Sequence, residues 1–141
     1  IAMACCKKKS ASLTLINRTL KRAEDLKTNI RKYSESPITV LSFDSLDLQC
    51  LKDADLVINT TSLGMSPNIS QTPLNDFSWC HEGQLVYDII YNPSETLFLK
   101  EAKQRGCKIQ NGAGMLAGQG ALAFKLFTGQ DASYETMRNE I

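Results

Sequence analysis

An α/β fold, a doubly wound parallel sheet with helices on both faces, is predicted by three features of the sequence. Apolar runs rich in Val, Ile and Leu recur at Leu13–Ile16, Ile38–Phe43, Leu56–Asn59, Leu85–Ile90 and Lys108–Gln110. Helix-like segments separate several of them. The runs are near-continuous, as in strands buried on both sides rather than one.

Taken in order, the opening "IAMACCKKKS" reads as the tail of an amphipathic helix that ends in solvated lysines. No strand or glycine-rich turn precedes it, so the sequence is expected to open in mid-element. In a doubly wound sheet the strand then lacking is the central one, between Leu13–Ile16 and Leu56–Asn59, because strand one lies beside strands two and four. A sheet interrupted there is expected not to fold alone. After the run at Leu13–Ile16, the segment Leu20–Tyr33 places Ala23, Leu26, Ile30 and Tyr33 at steps of three and four, one apolar face of a helix. Thr19 stands where a capping residue belongs. A second helix is expected over Met115–Phe127, with Gly129 in the position that a helix stop prefers. No repeat, low-complexity tract or linker divides residues 1–141, which are expected to form one domain.

Composition narrows the function classes. The 141 residues are 43% hydrophobic and 22% charged, the balance of a folded globular domain. Sixteen Lys and Arg against fifteen Asp and Glu leave a formal charge of +1. No global field therefore recruits nucleic acid or an anionic membrane, and basic residues matter by position. Cys5, Cys6, Cys50, Cys80 and Cys107 show no C-x-x-C pair, and the lone His81 is a poor complement, so reduced, packed thiols are expected rather than disulfides or a metal site. No stretch reaches the ~18–20 apolar residues of a membrane helix, and the opening residues lack a signal peptide's pattern. A cytoplasmic location is the expectation. Asn17, Asn59 and Asn68 begin glycosylation sequons that carry weight only in a secreted chain.

The most informative stretch is "LTLINRTLKRAEDL". An apolar strand runs into Asn17, Arg18 and Thr19, and Lys21 and Arg22 follow before any acid. In a dinucleotide-binding unit the tip of the second strand meets the adenosine ribose, where an acid holds the 2′-hydroxyl of the unphosphorylated cofactor. Cations in a helix's first turn oppose its dipole by about 0.3–1 kcal/mol each, a conflict that a bound anion removes. A 2′-phosphate gripped by Arg18 and Arg22 gains charge-assisted bonds of about 1.5–3 kcal/mol apiece, and Thr19 with the free helix amides adds donors. On charge alone the competing reading is a solvated basic turn.

The succession "INRTLKRAEDL", "DLVINTTSLGM", "VYDIIYNPSETLFLKEAKQRG" and "NGAGMLAGQGALAF" resembles the cofactor-binding half of shikimate dehydrogenase, with a Rossmann-like fold. The resemblance implies an NADP-dependent, reversible reduction of 3-dehydroshikimate to shikimate in aromatic amino-acid (chorismate pathway) biosynthesis. It implies that Asn17, Arg18, Thr19, Leu20, Lys21 and Arg22 form the 2′-phosphate and adenosine loop. Thr60, Thr61 and Ser62 match the turn under the cofactor's centre. Ile89 matches a side chain against the nicotinamide, and Gly112 with Met115 a second contact there. Tyr91 and Gln119 match residues that hydrogen-bond the substrate.

A physical reading of the last two stands beside this. Tyr91 follows a strand and precedes the turn signal Asn92-Pro93, at the carboxyl end of the sheet where such folds bind ligands. Met115, Gln119, Leu122 and Leu126 share a helical stripe, which sets an amide among apolar neighbours where it needs a partner; a neighbouring carbonyl or a ligand would serve. Gly118 and Gly120 beside it suggest close approach by another group. Asp88 is expected to be structural rather than catalytic, Met65 to lie in the core or to face the cofactor, with the core favoured, and His81 carries no expected role.

Two family features are expected to lie outside these residues: the glycine-rich phosphate turn, and the N-terminal substrate domain with its catalytic lysine and aspartate. No catalytic or metal-binding residue is therefore assigned, and the 141 residues are expected to be inactive alone. The expected partner is the small-molecule substrate, with no nucleic acid or membrane, and homodimerisation stays open. The alternatives are a non-catalytic nucleotide-binding or interaction domain of the same fold, and an NAD-dependent quinate/shikimate dehydrogenase, which should show an acid near Asn17.

Overall fold

The computed structural model describes residues 1–141, which form two compact units, Ile1–Cys50 and Leu51–Ile141. The first unit holds α1 (Ala2–Lys7), β1 (Leu13–Ile16), α2 (Leu20–Arg31) and β2 (Ile38–Leu41), and α3 (Leu48–Lys52) follows. The second holds β3 (Leu56–Asn59), β4 (Leu85–Asp88), α4 (Leu97–Gln104), β5 (Lys108–Gln110), α5 (Ala113–Thr128) and α6 (Tyr134–Asn139). All strand pairs are parallel, as the continuous apolar runs require. They make two sheets, β1-β2 and β3-β4-β5, rather than one. Only β4 pairs on both edges; β1, β2, β3 and β5 each pair on one.

Within the first unit, β1 and β2 run in register from Leu13 opposite Ile38 to Ile16 opposite Leu41. Cys6, Ile30 and Ile38 are buried together, with Ala2, Met3, Leu13 and Leu15 packed around them. The helical spacing in α2 is borne out at Ala23 and Ile30. It fails at Leu26 and Tyr33, which are exposed, and α2 ends at Arg31, before Tyr33 is reached. Thr19 occupies the N-cap position but its hydroxyl makes no capping bond. Instead Asn17 Oδ1 accepts from the Thr19 amide at 2.8 Å, turning the chain out of β1, which ends at Ile16 as expected. The second apolar run stops short, at Leu41 rather than Phe43, where Ser42 and Ser45 exchange local hydrogen bonds that compete with a ladder.

The core of the second unit is aromatic. Phe77, Trp79 and Phe98 are buried with ring centroids 5.9–6.4 Å apart, and Trp79 Nε1 donates to Asp76 O at 2.9 Å. Truncating a ring in such a cluster costs about 3–5 kcal/mol. Arg105 closes it, with its guanidinium 5.5 Å from the Phe77 centroid and 2.7 Å from Glu101. α4 docks Phe98, Leu99 and Ala102 here, and Thr96 caps it by accepting from the Leu99 amide. All five cysteines are free thiols, two of them buried. Burial pushes the Cys80 thiol up to about 12, with the Cys107 thiol beside it adding to the rise, which favours its protonated form.

α5 departs most from its expected packing. It runs from Ala113 to Thr128 and stops at Gly129, which adopts the left-handed conformation expected of it. Its stripe of Met115, Gln119, Leu122 and Leu126 faces solvent, however. Gln119 is therefore not an amide needing a protein partner. Leu56 and Leu85 are also substantially exposed, so the sheet of this unit is not covered on both faces by its own helices. No helix is long and apolar enough to cross a membrane.

Two glycines expected to mark close approach do not, and another does. A Cβ on Gly118 would meet nothing within 4 Å, and one on Gly120 only Met137 Sδ at 3.6 Å. A Cβ on Gly112 would sit 1.8 Å from the Ile89 carbonyl oxygen. Gly112→Ala should accordingly lower stability by about 1–3 kcal/mol in thermal melts. Gly118→Ala should raise it by about 1 kcal/mol, since alanine gains helix propensity without a clash.

His81, in the loop before β4, bridges two carbonyls: Nδ1 lies 2.6 Å from Glu82 O and Nε2 2.9 Å from Lys52 O. Carbonyls only accept, so the imidazolium satisfies both contacts and neutral imidazole only one. The Glu82 carbonyl first and the Lys52 carbonyl second hold its pKa above 6.5, Asp55 adds to the rise, and desolvation and the Lys52 charge oppose it. A raised folded-state pKa contributes stability that is fully present below the unfolded value, about 6.5, and is lost as pH rises through the folded value. An NMR titration of this sole imidazole should give a midpoint above 6.5, and His81→Gln should remove the corresponding pH dependence from the melting temperature.

Candidate functional site

At the carboxyl ends of β3 and β4 the chain diverges and leaves a cavity of about 530 Å³. The turn after β3 supplies Thr60, Thr61 and Ser62 to one wall; Ile89, Tyr91 and Asn92, after β4, supply the other. Diverging loops at the carboxyl edge of a parallel sheet are the usual binding position in open α/β folds. Five of the residues singled out in the sequence therefore meet around one space.

The walls are held by buried polar groups. Asn59 and Asp88 end their strands as register partners, and both are almost wholly buried. Asn59 Nδ2 donates to both Asp88 carboxylate oxygens at 3.2 Å, while Asn59 Oδ1 accepts from the Thr61 amide at 2.9 Å and the Thr61 hydroxyl at 2.8 Å. Asp88 also accepts from the Ile90 amide at 3.0 Å and from the Thr96 hydroxyl at 2.7 Å. Asp88 is thus structural, as expected. It also ends β4 two residues before the expected Ile90, because its side chain captures the Ile90 amide.

Gly112 lies against this site without lining it. Its amide donates to Ile90 O at 2.9 Å, and its missing side chain leaves room for the Ile89 carbonyl. Met115 lines a different cavity, of about 410 Å³, with Leu56, Leu85 and Tyr87. Gln119 borders neither cavity and is exposed. Met65, for which the sequence favours the core over a cofactor-facing place, is 47% exposed and lines the first cavity, because the turn after β3 carries it outward. Ser66 joins it there. Sequence reading passed over Asn59 and Thr96; each is a polar residue at the boundary of an apolar run, the one signal that could have found them.

In the first unit the basic turn is open. Arg18, Thr19, Leu20, Lys21 and Arg22 are exposed and Asn17 is half-buried. The ion pairs Lys27–Glu24, Lys103–Glu95, Arg105–Glu101 and Lys125–Asp131 leave Arg18, Lys21 and Arg22 unneutralised. The first turn of α2 carries no acid. Unpaired cations at a helix start with an unfilled side-chain cap suit a dianionic group in that place.

Known proteins are similar to this chain in sequence and in fold. The family described as Shikimate 5'-dehydrogenase C-terminal domain matches residues 112–141. The NADP(+) shikimate dehydrogenase of Methanococcus aeolicus is 40% identical over 99% of this chain and 50% of its own length. The Thermus thermophilus shikimate 5-dehydrogenase, solved with NADP(H) and shikimate, superposes with a TM-score of 0.80 at 32% identity, over 99% of this chain and 48% of that one. Quinate dehydrogenase from Corynebacterium glutamicum, solved with NAD, superposes with a TM-score of 0.85 at 28% identity, over 98% and 48%. The chain spans about half the length of the curated relatives it matches. Its α/β fold with parallel sheets and its sequence agree: over about half their length, shikimate dehydrogenases match this chain in their C-terminal, NADP-binding region.

Proposed function

We propose that this chain is the cofactor-binding part of an NADP-dependent shikimate dehydrogenase, and that Asn17 to Arg22 hold the adenosine 2′-phosphate. The observation that carries the reading is the acid-free turn after β1, with Arg18, Lys21 and Arg22 exposed and outside every ion pair. When bound, the nicotinamide cofactor supplies a hydride to a substrate carbonyl. The role of this chain is to bind and orient. Thr60, Thr61 and Ser62 form the turn under the cofactor's centre, Ile89 and Gly112 shape the nicotinamide end, and Tyr91 reaches toward substrate hydroxyls. Met115 and Gln119 keep the roles that the resemblance implies, as a nicotinamide contact and a substrate contact. Proton transfer to the carbonyl oxygen falls to no residue of this chain, and we infer that the 141 residues alone do not turn over shikimate.

The finer reading of the fold belongs here too: a doubly wound sheet completed by a strand and a glycine-rich turn outside these residues. Its support is that every strand pair within each unit is parallel. The quinate dehydrogenase neighbour was solved with NAD, which makes cofactor choice the point to test. A site that prefers NAD holds an acid where this chain has Asn17. Calorimetric titration should show Arg18→Ala and Arg22→Ala each weakening NADP+ binding by about ten- to a hundredfold while leaving NAD+ unchanged. Equal losses for both cofactors would refute the phosphate role. Shikimate-dependent NADP+ reduction by this polypeptide would refute the inference of inactivity.

A further inference from the structure

We propose that Asp88, acting through Asn59, is the positioning residue that sets both walls of the carboxyl-end cavity. Its meaning for catalysis rests on the cofactor reading above; the coupling itself does not. The argument is one of hydrogen-bond direction. A carboxylate only accepts, so against Asp88 the Asn59 side chain must present its NH₂, which it does at 3.2 Å to each oxygen. That choice turns Asn59 Oδ1 the other way, onto the Thr61 amide and hydroxyl at 2.9 and 2.8 Å. With its proton committed to Asn59, the Thr61 hydroxyl can only accept, and it receives the Leu63 amide at 3.2 Å. Four groups are thereby polarised in one sense, from the end of β4 to the turn after β3.

The same carboxylate fixes the opposite wall. Asp88 Oδ1 takes the Ile90 amide, which bends the chain between Ile89 and Tyr91, and Oδ2 takes the Thr96 hydroxyl at the cap of α4. Asn59, Asp88 and Thr96 are between 0 and 3% exposed, so water cannot substitute for a lost partner. A carboxylate serving only to join β4 to α4 would not govern Thr61 and Leu63, which follow a different strand. Asp88 does govern them, by dictating which way one amide points.

Amide hydrogen exchange on the 141-residue chain tests this. Asp88→Asn presents an NH₂ to a neighbour that also needs to donate, and should speed exchange at Thr61 and Leu63 about tenfold while Val86 in β4 stays protected. The exchanged pair Asn59→Asp with Asp88→Asn restores one donor and one acceptor across the gap, and should return Thr61 and Leu63 toward wild-type protection. Thr61→Val, which keeps the fold should Asp88→Asn lose it, should release Leu63 alone and leave Ile90 protected. Unchanged exchange at Thr61 and Leu63 in folded Asp88→Asn overturns the proposal, as does a double variant no better than the single. Titration with NADP+ separates the two readings. A wild-type chain that shows the coupling but no NADP+-induced shifts at Thr61, Ile90 or Tyr91 upholds the positioning role and refutes the cofactor role. Equal NADP+ affinity in wild type and Asp88→Asn, with the coupling lost, refutes the role of Asp88 in shaping the binding site.

Discussion

Burying the Asp88 carboxylate between two strand ends is the constraint on which the rest of this site depends. An unpaired charge in that position would cost several kcal/mol, and the chain offsets the loss by bringing donors from three separate segments. Asn59 comes from the adjacent strand, the Ile90 amide from the bend that follows, and Thr96 from the cap of α4. Each donor is a backbone commitment. Once all are met, the turn at Thr60–Ser62 and the bend at Ile89–Tyr91 have little freedom left, and the space between them becomes a cavity of defined shape.

Packing enforces the same geometry from behind. The carbonyl of Ile89 occupies the volume that a side chain at position 112 would need, so the β5–α5 connection can lie against the bend only with glycine there. The aromatic cluster of Phe77, Trp79 and Phe98 anchors α4, and with it the Thr96 hydroxyl that reaches Asp88. Rigid elements thus support the loops that carry the recognisable residues, the usual division of labour in α/β folds.

The basic turn of the first unit works by a different principle. Its cations are exposed, so each is screened by water and contributes little to stability. A guanidinium's fixed planar donors favour a phosphate oxygen face over a hydroxyl, which is why Arg18 and Arg22, beside an Asn17 that carries no charge, bear on the cofactor choice proposed above. Local charge of this kind is compatible with a net charge of +1 for the chain.

Sequence alone determined what depends on local pattern. Continuous apolar runs located all five strands and their parallel class, Gly129 marked the end of α5, and the charge order after Ile16 singled out the basic turn. These were legible because strand burial, left-handed helix stops and charge placement each act within a few residues. Tertiary structure decided what depends on distant partners. Periodicity could place Gln119 on a stripe with Met115, Leu122 and Leu126 but could not say that the stripe faces solvent, since that depends on what packs across it. The same limit hid the clash that reserves position 112 for glycine, and the pairing of Asn59 with Asp88, 29 residues further along the chain. A buried hydrogen bond between strand ends exists only once the sheet has brought them together, and no local spacing announces it.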